Sequence, residues 1–366
     1  MANVLFVSIE TFESPIIAGN DQLLVVTTAD RYFHALIPGS SLSPYVSRND
    51  LHDSAILSAA FLSSTRPIAI TASMSGQVLV HNLEDGKIIS ERRDHKKYVV
   101  DVARYHQHGL VWVATASWDK KVFLYITRVD QNHAMERPVA EISVPTNPEC
   151  LLFLHKPGEQ AMILLVTRHD STYLYYYSVP AVEQFEHQPL AAGALRAVQE
   201  LPMTGKQNLM PHSSTWVTFS PSSVSICPTD SNIIAVATSS TPHMKLIVVR
   251  IIWPCASRAQ GPNQGHTLQA NMDLLNADEE ESATVLHVNT FAPQSAYSTP
   301  SCVWRPDGSG IWVSSDDGAL RGIELRSGGV VSVLTGGHDE GSKIRSLWAG
   351  KVQREEWLIS GGYGLT

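Results

Sequence analysis

Side chains able to bind or react are densest around Asp94–Arg128, DHKKYVVDVARYHQHGLVWVATASWDKKVFLYITR. Arg92, Arg93, Lys96 and Lys97 flank His95, while Lys120 and Lys121 follow Trp118-Asp119. Cations beside an indole suit an anionic partner. An acidic peptide, a phosphopeptide or a single RNA strand would set its carboxylates or phosphates on the cations and an apolar group on the ring. A solvated charged rim is the plain alternative. His95 and Asp119 form a second, internal constellation. A ring N–H donated to a carboxylate in a tight turn would tie that turn to the neighbouring connection, and Thr115 or Ser117 would extend the network.

Catalytic patterns are missing from the sequence. It holds no GxSxG, no HExxH and no phosphate-cradling glycine loop between a strand and a helix. Gly308-Ser309-Gly310 reads as a hairpin turn. His106-Gln107-His108 has no carboxylate or thiol close in sequence, and His133, His155, His187 and His212 read as loop residues. The expectation is therefore a protein that is not an enzyme, with no cofactor and no metal site.

The elements that would position these residues are short strands. Tyr98–Ala103, Leu110–Ser117 and Val122–Thr127 are apolar or alternating runs separated by polar turns, a meander. This stretch resembles one unit of the WD-repeat β-propeller family, whose units carry a strand-leading His, a Ser/Thr-x-Asp turn and an aromatic six residues later. The matching positions are His95, Ser117 or Thr115, Asp119 and Tyr125. The resemblance implies a seven-bladed β-propeller of four-stranded antiparallel blades, an all-β fold.

Turn positions recur along the chain. Asp30, Ser75 and Asp119 are spaced by 45 and 44 residues, Asp170 follows after 51, and Gly364 lies 47 beyond Asp317. A meander whose turn centres near Pro242 divides the 147 residues between Asp170 and Asp317. Seven units result, at 11–50, 51–94, 95–145, 146–212, 213–292, 298–336 and 337–366. Ala181–His212 and Pro254–Ala283 read as loop insertions, the second disordered. His52 and Gly337-His338 mark two further strand starts. Only the third unit offers a full polar network in this reading. The seventh lacks a third strand, so Asn3–Ile9 is expected to close it; an incomplete final unit is the alternative.

At 366 residues and 43% hydrophobic content, a repetitive all-β chain can form one domain. A net charge of −8 argues against nucleic acid as a global partner, although residues 91–128 alone sum to +4, eight Lys/Arg against Glu91, Asp94, Asp101 and Asp119. Cys150, Cys227, Cys255 and Cys302 form no CxxC pair, which suggests reduced thiols in the cytoplasm or nucleus. The N-terminus has no secretory pattern, and Ala161–Val166 is too short to span a bilayer.

Family members often bind peptides at the mouth of the central channel. Carried over by position, the residues before each turn are Ala29, Met74, Trp118, His169, Asp316 and Tyr363, with Tyr98 and Val100 near a first-strand start. The resulting expectation is a scaffold for protein–protein interaction, monomeric within a larger complex. Trp118, Tyr98, His169 and Met74 serve as anchors, and Arg92, Arg93, Lys96, Lys97, Lys120 and Lys121 steer. Two rivals are a substrate receptor of a cullin-type ubiquitin ligase, through Arg128, and an accessory subunit of an RNA-modifying or processing complex.

Overall fold

The computed structural model describes residues 5–8, 16–19, 24–27, 31, 33–37, 43–62, 68–107, 109–128, 134–156, 158, 161–181, 198–211, 219–254, 276–352 and 355–362. Regular structure among them is β-strand, apart from a short helix over 276–282. Seven sheets form in chain order. Sheet 1 is β2 (Ile16–Gly19), β3 (Leu24–Thr27), β4 (Phe33–Ile37) and β5 (Ser43–Arg48). Sheet 2 is β6 (Ile56–Phe61), β7 (Ile68–Ser73), β8 (Val78–Asn82) and β9 (Ile88–Arg92). Sheet 3 is β10 (Val99–Gln107), β11 (Leu110–Ser117), β12 (Lys121–Arg128) and β13 (Ala140–Ser143), with β17 (Gln199–Glu200) added in parallel. Sheet 4 is β14 (Pro148–His155), β15 (Met162–Arg168), β16 (Tyr173–Val179) and β18 (Met203–Asn208). Sheet 5 is β19 (Pro221–Ile226), β20 (Ile233–Thr238), β21 (His243–Arg250) and β22 (Thr284–Pro293). Sheet 6 is β23 (Cys302–Trp304), β24 (Gly310–Val313), β25 (Leu320–Glu324) and β26 (Val330–Leu334). Sheet 7 joins β27 (Ile344–Val352) and β28 (Glu355–Gly362) to β1 (Leu5–Ser8), which runs parallel to β28 with Leu5 opposite Trp357.

Burial explains the order of strands. The second strands β7, β11 and β20 bury every residue. A strand covered on both faces reads as a continuous apolar run, which is why their sequences do not alternate. The fourth strands β9 and β26 are largely half-exposed or exposed. Each hydrophobic cluster lies between successive sheets: Trp112, Leu124, Phe153 and Leu164 between sheets 3 and 4, and Ala235, Leu246, Trp304 and Ile311 between sheets 5 and 6. The first strands pack in succession, β2 on β6, β6 on β10, β10 on β14, β14 on β19, β19 on β23 and β23 on β27, and β27 lies against β2.

Two expectations are corrected. The 181–212 segment is not wholly loop, because β17 and β18 fall within it, extending sheet 3 and completing sheet 4. Lys206 and Gly205 of β18 sit opposite Tyr175 and Tyr176, so the strand forms despite a polar sequence because β16 offers a long edge. The acidic run at the end of 254–283 is helical over 276–282; Glu280 accepts the Asn208 backbone N–H at 2.7 Å, which anchors it to the end of β18. Residues 255–275, the turn at Asp30 and residues 363–366 lie outside the described set. No helix of the described residues is long and apolar enough to cross a membrane.

A recurrent bulge sits near the start of the first strands. Pairing shifts between Ile56 and Ser58, Val99 and Asp101, Pro148 and Leu151, Pro221 and Ser223, and Ile344 and Ser346. A bulge frees a backbone N–H from the ladder, and the neighbouring sheet supplies the acceptor. Val102 N–H donates to Ser58 Oγ at 3.1 Å and Leu151 N–H to Asp101 Oδ2 at 2.7 Å; Cys302 N–H, at the start of a first strand paired without such a shift, donates likewise to Ser223 Oγ at 3.4 Å. Asp101 also accepts from its own neighbour, Val102, at 2.8 Å and from Ser58 Oγ at 3.4 Å. Burial pushes its carboxyl upward, opposed by the N–H groups of Leu151 and Val102.

This predicts that Asp101→Ala, which orphans the Leu151 N–H, lowers unfolding free energy by about 1–3 kcal/mol. Asp101→Ser, restoring the side chain used at 58 and 223, should recover part of that loss. Urea midpoints of the two variants measure it; equal midpoints would leave the acceptor without a role.

Candidate functional site

The expected polar network of the third unit forms. His95, buried, has Nε2 at 2.8 Å from Thr115 Oγ1 and Nδ1 at 3.1 Å from Asp119 Oδ2. Asp119 also accepts the backbone N–H of Lys96 at 2.9 Å and of Lys121 at 3.1 Å. Burial alone would raise this carboxyl, but the His95 ring and those N–H groups hold it below the usual carboxylate range. Tyr125 donates to Asp94 Oδ2 at 3.1 Å, and its phenol is pushed up by burial first and then by the Asp94 charge. Ser117 joins the network through Asp119 and not through the His95 ring: its hydroxyl accepts the Asp119 N–H at 3.2 Å and donates to the Lys97 carbonyl at 3.2 Å.

Sheet 2 carries a second network, which overturns the reading that only the third unit has one. His52 Nε2 lies 2.7 Å from Thr71 Oγ1, and Nδ1 lies 3.1 Å from Gln77 Oε1. His81 Nε2 reaches Thr71 Oγ1 at 3.1 Å. Gln77, two residues past the carboxylate-free turn at Ser75, replaces the missing Asp; a polar residue shortly after such a turn is the signal that sequence reasoning passed over. In sheet 7, His338 Nε2 lies 2.7 Å from Ser360 Oγ.

These locks hold one end of the sheets, where each connection into a first strand meets the turn between second and third strands. There the residue before the turn donates its N–H to a residue at the first-strand start: Met74 to Ala55 at 2.9 Å, Trp118 to Tyr98 at 3.0 Å, His169 to Asn147 at 2.8 Å and Ser239 to Ser220 at 3.0 Å. Met74, Trp118 and His169 are thus brought to equivalent places. Ser239 joins them; aligning that unit on Pro242 had hidden it. Asp316 departs from the series, since its N–H goes to Pro293 and its side chain to Ser298 and Lys343. Ala29 and Tyr363 lie outside the described residues.

Tyr98 and Trp118 make a ring contact, centroids 5.2 Å apart at 36°, with 38% and 40% of each residue exposed. Val100 faces inward against the core between sheets 3 and 4. Met74 is half-buried. His169 is exposed but lies 3.4 Å from both Glu149 and Asp170 carboxylates, so its sector is acidic rather than apolar. Burial raises the Glu149 carboxyl, and His169 opposes that.

Three of the six cations are neutralised. Arg92 forks onto Asp94 at 2.9 and 2.7 Å, Arg93 pairs with Asp53 at 2.9 Å and Glu91 at 2.7 Å, and Lys121 pairs with Glu141 at 2.9 Å. Lys96, Lys97 and Lys120 are exposed, or at a turn with φ 67°, and have no ion-pair partner among the described residues. The working site is therefore smaller than the sequence suggests: two aromatic rings in tilted contact and three ammonium groups. Arg128 sits opposite Leu110, at the far end of sheet 3. Among the described residues no three His, Cys, Asp or Glu side chains converge for a metal.

The sheet 2 network carries a pH dependence. Burial holds His52 down to about 4 and His81 down to about 3, the latter also disfavoured by His52. A histidine depressed in the folded state contributes stability in full above its unfolded pKa of about 6.5 and loses it as pH falls toward the folded value. Unfolding free energy should therefore drop between pH 6.5 and pH 4, with Asp101, raised by burial, contributing in the opposite sense. A His81→Gln variant should fall less steeply; denaturant titrations across that window test it, and an unchanged slope would exclude the pair.

A comparison with curated proteins returned no match. Residues 15–363 match a family described as a beta-propeller domain, and the chain belongs to that family.

Proposed function

We propose that this chain is a non-catalytic scaffold: a seven-bladed propeller of the WD-repeat kind that receives an acidic or phosphorylated segment of a partner protein at the mouth beside sheet 3. Support for the blade count comes from the seven sheets and from β27 lying against β2. Pairing of β1 with β28 supports closure of the ring within sheet 7. The His95–Thr115 and His95–Asp119 contacts support the WD-repeat assignment.

The observation that carries the binding reading is the exposed Tyr98–Trp118 contact bordered by Lys96, Lys97 and Lys120, exposed and without an ion-pair partner among the described residues. Exposed aromatic rings offer apolar area at low conformational cost, and adjacent ammonium groups give an anionic partner its register. With Arg92, Arg93 and Lys121 neutralised, three charges remain, enough to steer a short acidic peptide and few for a long nucleic-acid strand.

In affinity purification, Tyr98→Ala with Trp118→Ala should lose partners that the wild type retains. For any partner so identified, Trp118→Ala is expected to weaken binding by about 30-fold, the scale of an interface hot spot. Lys120→Glu should also weaken it, whereas Lys121→Glu, whose cation already serves Glu141, should matter less. Retention of every partner by the double variant would end this reading.

A further inference from the structure

A second aromatic surface lies at the same end of the molecule, where sheet 5 passes into sheet 6. Phe291 has φ of 55°, the left-handed region, and is 63% exposed. For a bulky side chain that backbone is strained, so the surroundings must impose it. Here the restraints are visible. Lys245 pairs with Asn289 and His243 with Pro293, so residues 290–292 bulge opposite Met244. Asn289 Oδ1 accepts the Phe291 N–H at 2.9 Å, and buried Thr290 donates to the Met244 carbonyl at 2.8 Å. Its hydroxyl also accepts the Ala292 N–H at 3.2 Å, and Gln294 N–H donates to the Pro242 carbonyl at 2.8 Å. Thr290 and Ala292 are fully buried, so the ring between them is held outward.

Tyr297, 88% exposed, follows in a turn where Ser295 and Ser298 bond Asp316 Oδ2 at 3.1 and 2.6 Å. Lys343 Nζ reaches Ser295 Oγ at 2.8 Å and Asp316 at 3.5 Å, which draws the 339–343 connection alongside. That connection brings exposed Asp339 and Glu340, for which no ion-pair partner occurs among the described residues. Lys343 is occupied by Asp316; the other cations nearby are Lys245 in β21 and Arg345, whose guanidinium donates to Thr299 Oγ1 at 3.2 Å. The His243 ring lies 6.3 Å from Phe291.

We infer that Phe291 and Tyr297, with Asp339 and Glu340, form a docking surface for a protein segment that carries Lys or Arg side chains beside apolar ones. Two outward rings supply the apolar contact, and the acidic pair complements cations. This charge is opposite to that of the Tyr98–Trp118 mouth, so the two surfaces take different segments. An anionic lipid surface would be repelled by the same carboxylates.

The test uses the full chain and two fluorescent peptides, each with an apolar leucine–phenylalanine centre, flanked by lysines in one and by glutamates in the other. Anisotropy should show salt-sensitive binding of the lysine peptide and at least tenfold weaker binding of the glutamate peptide. Phe291→Gly with Tyr297→Ala should weaken the lysine peptide at least tenfold, and Asp339→Lys with Glu340→Lys should do likewise. Glycine accepts φ of 55° without strain, so the melting temperature of Phe291→Gly should be unchanged or raised. A lowered melting temperature would mean that the ring serves the fold instead. Equal lysine-peptide binding by the aromatic double variant, or cosedimentation with phosphatidylserine vesicles that those substitutions abolish, would overturn the proposal.

Discussion

Packing of successive sheets depends on a recurring contact: a small polar side chain on one first strand accepts a backbone N–H near the start of the next. Ser58 and Asp101 fill this place in sheets 2 and 3, where the next strand is bulged, and Ser223 fills it in sheet 5. An unpaired N–H in such surroundings costs more than a hydrogen bond is worth on average, so each sheet depends on its neighbour for satisfaction. The apolar clusters between sheets supply attraction without direction. The bulge contacts supply the angular placement that the clusters lack.

A second constraint acts at the turns between second and third strands, and it is met by different chemistry in each sheet. Sheet 3 uses His95 and Asp119; sheet 2 uses His52 and Gln77. In sheet 4 the guanidinium of Arg168 lies 3.9 Å from the centroid of Tyr175 and bonds its hydroxyl, while Ser171 reaches that hydroxyl at 2.7 Å. Sheet 6 closes its turn with Asp317 and Arg321 at 2.6 Å. The common requirement is a satisfied polar group beside a tight turn, and several residue pairs meet it. A repeat held in this way keeps its geometry while its sequence signature fades.

This variation decides what could be read from the sequence. The turn spacing and strand runs placed the sheets because period and length survive substitution, whereas the lock of sheet 2 was missed because Gln77 does not look like Asp119. β18 was read as loop since an outer strand needs no apolar face when its partner's edge is long. The helix over 276–282 was read as disordered because acidic composition speaks for solvation and is silent about a single anchoring contact from Glu280. The bulge acceptors were legible in principle. Ser58, Asp101 and Ser223 are each followed by Ala or Val near a first-strand start, but no one unit makes that position conspicuous.

The candidate site teaches the same lesson about charge. Counting cations along the chain suggests a strong basic patch, yet residues two apart on a strand share a face. Glu91 and Arg93, and Arg92 and Asp94, keep that spacing across the end of β9. Lys121 faces Glu141 across the adjacent strand. These cations, in or next to strands, are thus answered by acids two residues or one rung away. Lys96, Lys97 and Lys120 stand in connections, where neither rule supplies a partner and the one nearby carboxylate, Asp119, is already committed to His95 and to backbone N–H groups. The internal lock and the free surface charge are therefore consequences of one another. By engaging Asp119, His95 leaves the lysines around it without an ion-pair partner among the described residues, beside the exposed rings of Tyr98 and Trp118.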